Sequence, residues 1–269
     1  MTEPFRDFSE LVLHCVQGRD YRFTIRDVGA DATIAAIHGG AIEPMTSEVA
    51  TIIAGGDHNL YDLRGIRAGD NSALRVPAHR FDEMRLRNLL RRSRTALSVL
   101  GVPGDEPIVH LGGKNRRLRA ALEERLVEAG FAVRGPAGPG AAHHPRRFVN
   151  WPPAGGVQME LSLALRRMLT REPLENFRWE DPAGWTDRFN ALVRAARGAL
   201  RDEAALARDD LGEAMERFEA ATRTFPAVMR SSYHHHHHHG DGHGGANGNG
   251  RDRDGDHSSS GDHSSSGDR

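Results

Sequence analysis

The stretch IAAIHGGAIEPMTSEVATIIAGG, residues 34–56, sets His38 and Glu43 around two glycines, where an apolar run gives way to a helical pattern. An imidazole and a carboxylate so placed suit Zn2+, which takes nitrogen and oxygen ligands and keeps one position open for water in catalytic sites. Gly39 and Gly40 let the backbone turn tightly beside the pair. Further along, GGVQMELSLALRR carries Glu160 at the end of an alternating apolar pattern. A carboxylate there cannot be core unless it is paired, and it can act as general base toward a metal-bound water. Plain structural roles fit the same residues: a capped turn for the His38 and Glu43 pair, and a solvated strand-end charge for Glu160.

The elements that must position these groups follow from period. YRFTIRD puts Tyr21, Phe23 and Ile25 on one face, as a half-buried strand does. ATIAAI, residues 32–37, is apolar throughout, as expected of a strand covered on both faces. In MTSEVATIIAGG, Met45, Val49, Ile52 and Ile53 share a helical face, and Gly55 is a C-terminal cap. His38 to Glu43 is therefore expected as a strand-to-helix turn. TALSVLG, PIVHLGG and FAV read as further strands, and residues 114–129 as a helix with Leu118, Leu122 and Leu126 inward. GPAGPGAAHHPRR reads as a loop, and Val157, Met159 and Leu161 as a strand that leads into a helix near Ser162. The rest, to about residue 225, reads as mostly helical. Alternating strands and helices predict an α/β fold with a mixed, partly parallel sheet flanked by helices. Sites in such folds gather beyond the carboxyl ends of the strands, where His38 and Glu43 lie.

The chain has 269 residues, enough for one sizeable core, a formal net charge of -1 and a single cysteine, Cys15. No intramolecular disulfide is possible, and Cys15 reads as a small buried residue. The near-zero charge gives no pull toward nucleic acid or an anionic membrane. The basic runs RLRNLLRRSR and KNRRLR read as solvated helix faces, or as a rim that attracts a polyanion. No apolar run is long enough to span a membrane, and MTEPFRDFSELVLH lacks a signal-peptide pattern, so the expected location is cytoplasmic. After Tyr233 the composition changes to HHHHHHGDGHGGANGNG and a repeated GDHSSS. That tail, residues 234–269, is expected to be disordered, and its polyhistidine binds metal loosely whether it is a tag or natural. The globular part is expected over residues 1–230 as a single domain, ending in a helical extension from about residue 171.

HGGAIEPMTSEVA together with GGVQMELSLALR resembles the poly-γ-glutamate hydrolase family of phage-derived zinc hydrolases, described as having a carboxypeptidase-like α/β fold. The resemblance runs over most of residues 15–170, and Leu111, Gly112 and Gly113 followed by a helix also fit it. It implies one zinc ion held by His38 and Glu43, with Glu160 as the catalytic carboxylate. It implies cleavage of γ-glutamyl or related amide bonds in a small or polymeric glutamyl substrate, and Asn150 and Arg166 are the candidates for binding that substrate. A phage-related origin accords with it.

The departures are specific. Where the family pattern has a histidine as third zinc ligand, this chain has Leu100. A second family histidine is replaced by Arg75, and an Asn-Arg pair by Asn150 and Trp151. The third ligand is unassigned; His79, His110 and the pair His143 and His144 are the available residues. Two functions are therefore expected: a zinc-dependent amide hydrolase, or a non-catalytic relic of the fold that binds a peptide or polyglutamate-like ligand without zinc. A third donor converging on His38 and Glu43 favours the first, and its absence beside Leu100 favours the second.

Overall fold

Five strands whose residues are almost all buried meet in one seven-stranded sheet, which explains the continuous apolar character of residues 32–37. The computed structural model describes residues 4–138, 147–174 and 181–236, with side chains as far as 223. The chain divides into two compact units, residues 1–212 and 213–269, and the first contains the sheet. The strands are β1 (Tyr21–Arg26), β2 (Ala32–Gly40), β3 (Asn59–Gly65), β4 (Thr95–Val102), β5 (Ile108–Gly112), β6 (Ala132–Arg134) and β7 (Gly156–Ser162). Their order across the sheet is β1-β3-β2-β4-β7-β5-β6. The β3-β2-β4-β7 block is parallel, β1 and β5 join it antiparallel, and β6 runs parallel to β5. The mixed, partly parallel sheet expected from the sequence is what forms.

Among the described residues there are six α-helices: α1 (Phe8–His14), α2 (Thr46–Ala54), α3 (Met84–Arg91), α4 (Arg116–Glu128), α5 (Leu163–Met168) and α6 (Asp187–His236). Two cores form, one on each sheet face. The first gathers Ile34, Val49, Ile53, Leu97, Leu122 and Met159 with Phe189, Leu192, Ala196 and Leu200 of α6. The second gathers Ile37, Tyr61, Val76, Phe81, Leu100 and Phe148, with Phe8, Tyr21, Phe23, Tyr61 and Phe81 in tilted and edge-to-face ring contacts. The helical extension is thus part of the first core as far as Leu200.

Charged groups fasten α6 to this core. Glu203, only 3% exposed, accepts a two-armed ion pair from Arg94 at the start of β4, with 2.8 Å on its second arm. Asn115, which caps α4, also donates to Glu203 at 3.4 Å. Arg197 reaches from α6 to the Ile53 carbonyl at 2.7 Å and to Asp57 at 2.9 Å. Beyond this point Leu206, Leu211, Met215 and Phe218 are exposed.

Candidate functional site

The site begins where β2 ends. The strand continues through His38 to Gly40 instead of stopping at Ile37, and its register against β3 shifts between Ala36 and Gly39. That irregularity turns the end of the strand and re-aims His38. Gly39 has no space for a side chain: a Cβ there would lie 2.5 Å from Asp62 Oδ1 and 2.8 Å from the Leu63 carbonyl. Gly40 has φ of 60°, a conformation glycine adopts without strain. The Glu43 amide then donates to the His38 carbonyl at 2.9 Å, and the Thr46 hydroxyl lies within bonding reach of both the His38 and Glu43 carbonyls. The spacing from His38 to Thr46 is thus the local code for the turn.

Glu43 is the hub. Its Oε1 accepts from His38 Nδ1 at 3.1 Å and from the Gly101 amide at 2.8 Å, and its Oε2 accepts from Arg75 Nε at 2.9 Å. His38 Nε2 donates to the Val76 carbonyl at 2.7 Å. Both ring nitrogens therefore face oxygen atoms of the protein. Burial alone would raise the Glu43 carboxyl; His38, Arg75 and the Gly101 amide together outweigh it and hold it below the usual carboxylate range. Behind the pair, Ser47 Oγ accepts from the Gly40 amide at 2.8 Å and donates to Asp62 at 2.6 Å, and Arg64 binds Asp62 at 2.7 Å. Glu48, beside them in α2, has a buried carboxyl oxygen with no hydrogen-bond partner among the described residues, and burial pushes its carboxyl up to about 7.

The adjoining strands carry the other candidates. Leu100 pairs in register with Glu160, and Glu160 with His110, so the three form a row across β4, β7 and β5. Leu100 and Glu160 are both buried. Glu160 Oε1 lies 3.4 Å from the Ala137 amide. Arg147 donates to Gln158, two residues before Glu160 on the same face; its Nε is buried without a partner among the described residues. Burial pushes the Arg147 guanidinium down, and the charge of Glu160 opposes this. Arg166 of α5 lies over Gly101, where a Cβ would meet its guanidinium carbon at 2.7 Å. It donates to the carbonyls of Leu161, Pro44 and Val102 at 3.2, 3.3 and 3.4 Å, and no carboxylate pairs with it among the described residues. Asn150 accepts from the Lys114 amide at 2.9 Å, next to the start of β7. The structure thus brings His38, Glu43 and Arg166 together, sets Glu160 in the neighbouring row, and seats Asn150 nearer the opposite end of β7.

These residues do not fit a zinc ion as they stand. Among the described residues no group of three or more His, Cys, Asp or Glu side chains is placed to hold a metal. Both nitrogens of His38 and both oxygens of Glu43 are spent on protein groups, and Leu100 supplies only hydrocarbon. Of the other histidines, His110 Nδ1 bonds the Gly135 carbonyl at 2.8 Å and His79 Nε2 lies 3.1 Å from Arg80 Nε. His143 and His144 lie outside the described residues.

Arg147, the Gly101 amide and the Val76 carbonyl are participants that sequence reasoning does not single out. Backbone groups carry no sequence signal, and an arginine in a Gly/Pro-rich loop reads as solvated. Arg75 stands out only as a departure from the family pattern.

Comparisons with known proteins agree with this architecture. The UPF0714 protein YndL of Bacillus subtilis (strain 168) is 30% identical over 153 residues, 56% of this chain and 60% of that protein. The SPbeta prophage-derived UPF0714 protein YoqZ of the same strain is 30% identical over 113 residues, 42% of this chain and 41% of that protein. The chain thus spans less than two thirds of the length of these relatives. A bacteriophage poly-gamma-glutamate hydrolase structure superposes with a TM-score of 0.70 at 26% identity, over 76% of this chain and all of that one. A zinc-free apo structure of YndL does so with a TM-score of 0.67 at 26% identity, over 74% of this chain and 98% of that one. The sequence matches the family described as poly-gamma-glutamate hydrolase over residues 5–195, and the chain belongs to that family.

Proposed function

We propose that this chain binds a carboxylate-rich glutamyl ligand beyond the strand ends and does so without zinc-dependent hydrolysis. The observation that carries the reading is the closed His38 and Glu43 pair: its donor atoms are satisfied by Val76, Gly101 and Arg75, and Leu100 adds none. Three guanidiniums, Arg75, Arg147 and Arg166, surround the pair and Glu160, and guanidinium is the side chain best suited to planar carboxylates. Near-zero net charge with this local excess of cations suits a polyanion drawn to one region of the surface. The family and the phage hydrolase likeness supply the glutamyl chemistry, and the prophage-derived relative accords with a phage-related origin.

Titrating poly-γ-glutamate into the protein in zinc-containing buffer tests this, with new amino groups assayed in parallel. Saturable binding that weakens with salt and releases no amines is expected. Arg147→Glu should weaken it about tenfold or more, the loss of at least one charge-assisted hydrogen bond of ~1.5 kcal/mol. Zinc-dependent chain cleavage that Glu160→Gln abolishes would overturn the reading.

The zinc hydrolase is the second reading. Its support is Glu160, whose buried carboxylate is a group suited to general-base work and which pairs in register with Leu100. It requires a third donor that the described residues do not provide.

A further inference from the structure

We propose that Arg75 and Val76 form a two-residue clamp that closes the His38 and Glu43 pair to divalent metal, with the Arg75 guanidinium as the built-in cation of the site. The inference rests on the zinc-free reading above but concerns what enforces it. One short segment reaches both members of the pair: the Arg75 side chain takes Glu43 Oε2 at 2.9 Å, and the next residue's carbonyl takes His38 Nε2 at 2.7 Å. A metal ion at this pair would have to displace one or both of these bonds.

The segment is held firmly from behind. Val76 is fully buried and Leu74 is 1% exposed. The Arg75 amide donates to the Ser72 carbonyl at 3.2 Å. Asn71 brackets Arg67 through its side chain, accepting from the Arg67 amide at 3.0 Å and donating to its carbonyl at 2.9 Å. The backbone half of the clamp, the Val76 carbonyl, therefore cannot swing aside without uncovering apolar side chains of the second core, while the Arg75 side chain is held by its bond to Glu43.

The chemistry of the cation matters as much as its position. Metal sites admit their ion by shedding protons from histidine or cysteine ligands. A guanidinium has no such route, because it stays protonated throughout the accessible pH range and offers no lone pair. Its positive charge on Glu43 therefore opposes a divalent ion at the same carboxylate. Leu100, next to the Gly101 amide that binds Glu43, is then a second and separate obstacle. Supplying a donor there should not by itself create a metal site.

The test compares full-length wild type, Leu100→His, and Leu100→His with Arg75→Gln. Zinc is measured by equilibrium dialysis against a competing chelator. Each protein is paired with its His38→Ala counterpart, so that zinc on the polyhistidine segment cancels. His38-dependent zinc should be near zero for wild type and for Leu100→His alone, and close to one per chain for the double variant. Three results would overturn the proposal: His38-dependent zinc in wild type, equal uptake by Leu100→His with and without Arg75, or a double variant that melts cooperatively yet takes no zinc. A measurement that needs no variant accompanies it. The Arg75 Nε–H resonance of wild type should stay unmoved by excess zinc, and a shift that tracks zinc binding would refute the clamp. Failure of poly-γ-glutamate to bind, with no His38-dependent zinc in wild type, would sink only the glutamyl-binding reading, so the two failures are distinguishable.

Discussion

Replacing Glu48 with glutamine should remove a pH dependence from the stability of the fold. The Glu48 side chain is buried in the first turn of α2, one of its oxygens has no partner among the described residues, and burial lifts its carboxyl from 4.5 to about 7. The Asp62 charge adds to the effect of burial in that shift, and Arg64 opposes it. Below pH 4.5 the group is protonated whether the chain is folded or not, and its contribution is fully present. Between 4.5 and 7 the unfolded chain releases a proton that the folded chain keeps, so stability falls as pH rises, and above 7 the loss is complete. A shift of about 2.5 pH units at ~1.36 kcal/mol each amounts to about 3 kcal/mol in total, of which about 2.5 kcal/mol falls between pH 5 and pH 8. Urea unfolding of wild type and Glu48→Gln at pH 5, 6, 7 and 8 isolates the effect. The unfolding free energy of the variant relative to wild type should rise by that amount across the series and level off at the alkaline end. A difference that stays constant within about 0.5 kcal/mol would show that Glu48 is ionised in the folded protein, and the burial argument would fail.

Glu203→Ala leaves Arg94 without its two-armed partner; with Arg94 partly exposed, we expect a loss of about 2–3 kcal/mol and a melting point about 5–10 °C lower by calorimetry. Gly39→Ala forces a methyl group against Ser47, Asp62 and the Leu63 carbonyl, so it should cost about 1–3 kcal/mol and weaken polymer binding in the same titration. Unchanged binding there would mean that the turn holding His38 does not shape the ligand site. Phe189→Ala empties a fully buried site stacked on Trp185 and should cost about 3–5 kcal/mol in urea unfolding.

The sheet was largely legible in advance because its strands obey simple patterns. ATIAAI, TALSVLG and GVQMEL are apolar or alternating and stand as β2, β4 and β7. The strand β3 was not legible: NLYDLRG contains Asp62 and Arg64, which read as solvent-facing but are buried as an ion pair with each other and with Ser47. The extension of β2 through His38 to Gly40 was also hidden, since two glycines signal a turn although here their backbones pair with Arg64 and Gly65. In α6 the apolar pattern is the same on both sides of residue 203, yet Phe189, Leu192 and Val193 are core while Leu211, Met215 and Phe218 are exposed. Periodicity reports an apolar face, not whether something covers it. At the site, the local pair His38 and Glu43 could be found from spacing. The clamp could not, because Arg75 and Val76 are more than thirty residues away in sequence and one of the two contacts is made by a backbone carbonyl.

The bond between Arg94 and Glu203 also sets a schedule for the ribosome. The two residues are 109 positions apart, and the helix that carries Glu203 brings Phe189, Leu192, Ala196 and Leu200 onto the sheet with it. At ~5–20 residues per second of synthesis, about 5–20 s separate the appearance of Arg94 from that of its partner. Through that interval Ile53, Leu97 and Leu122 lack the helix that covers them in the finished fold, and the Arg94 charge waits unpaired at the strand's edge. The sheet face that α6 claims is therefore completed only when the chain has been made as far as Leu200 and Glu203.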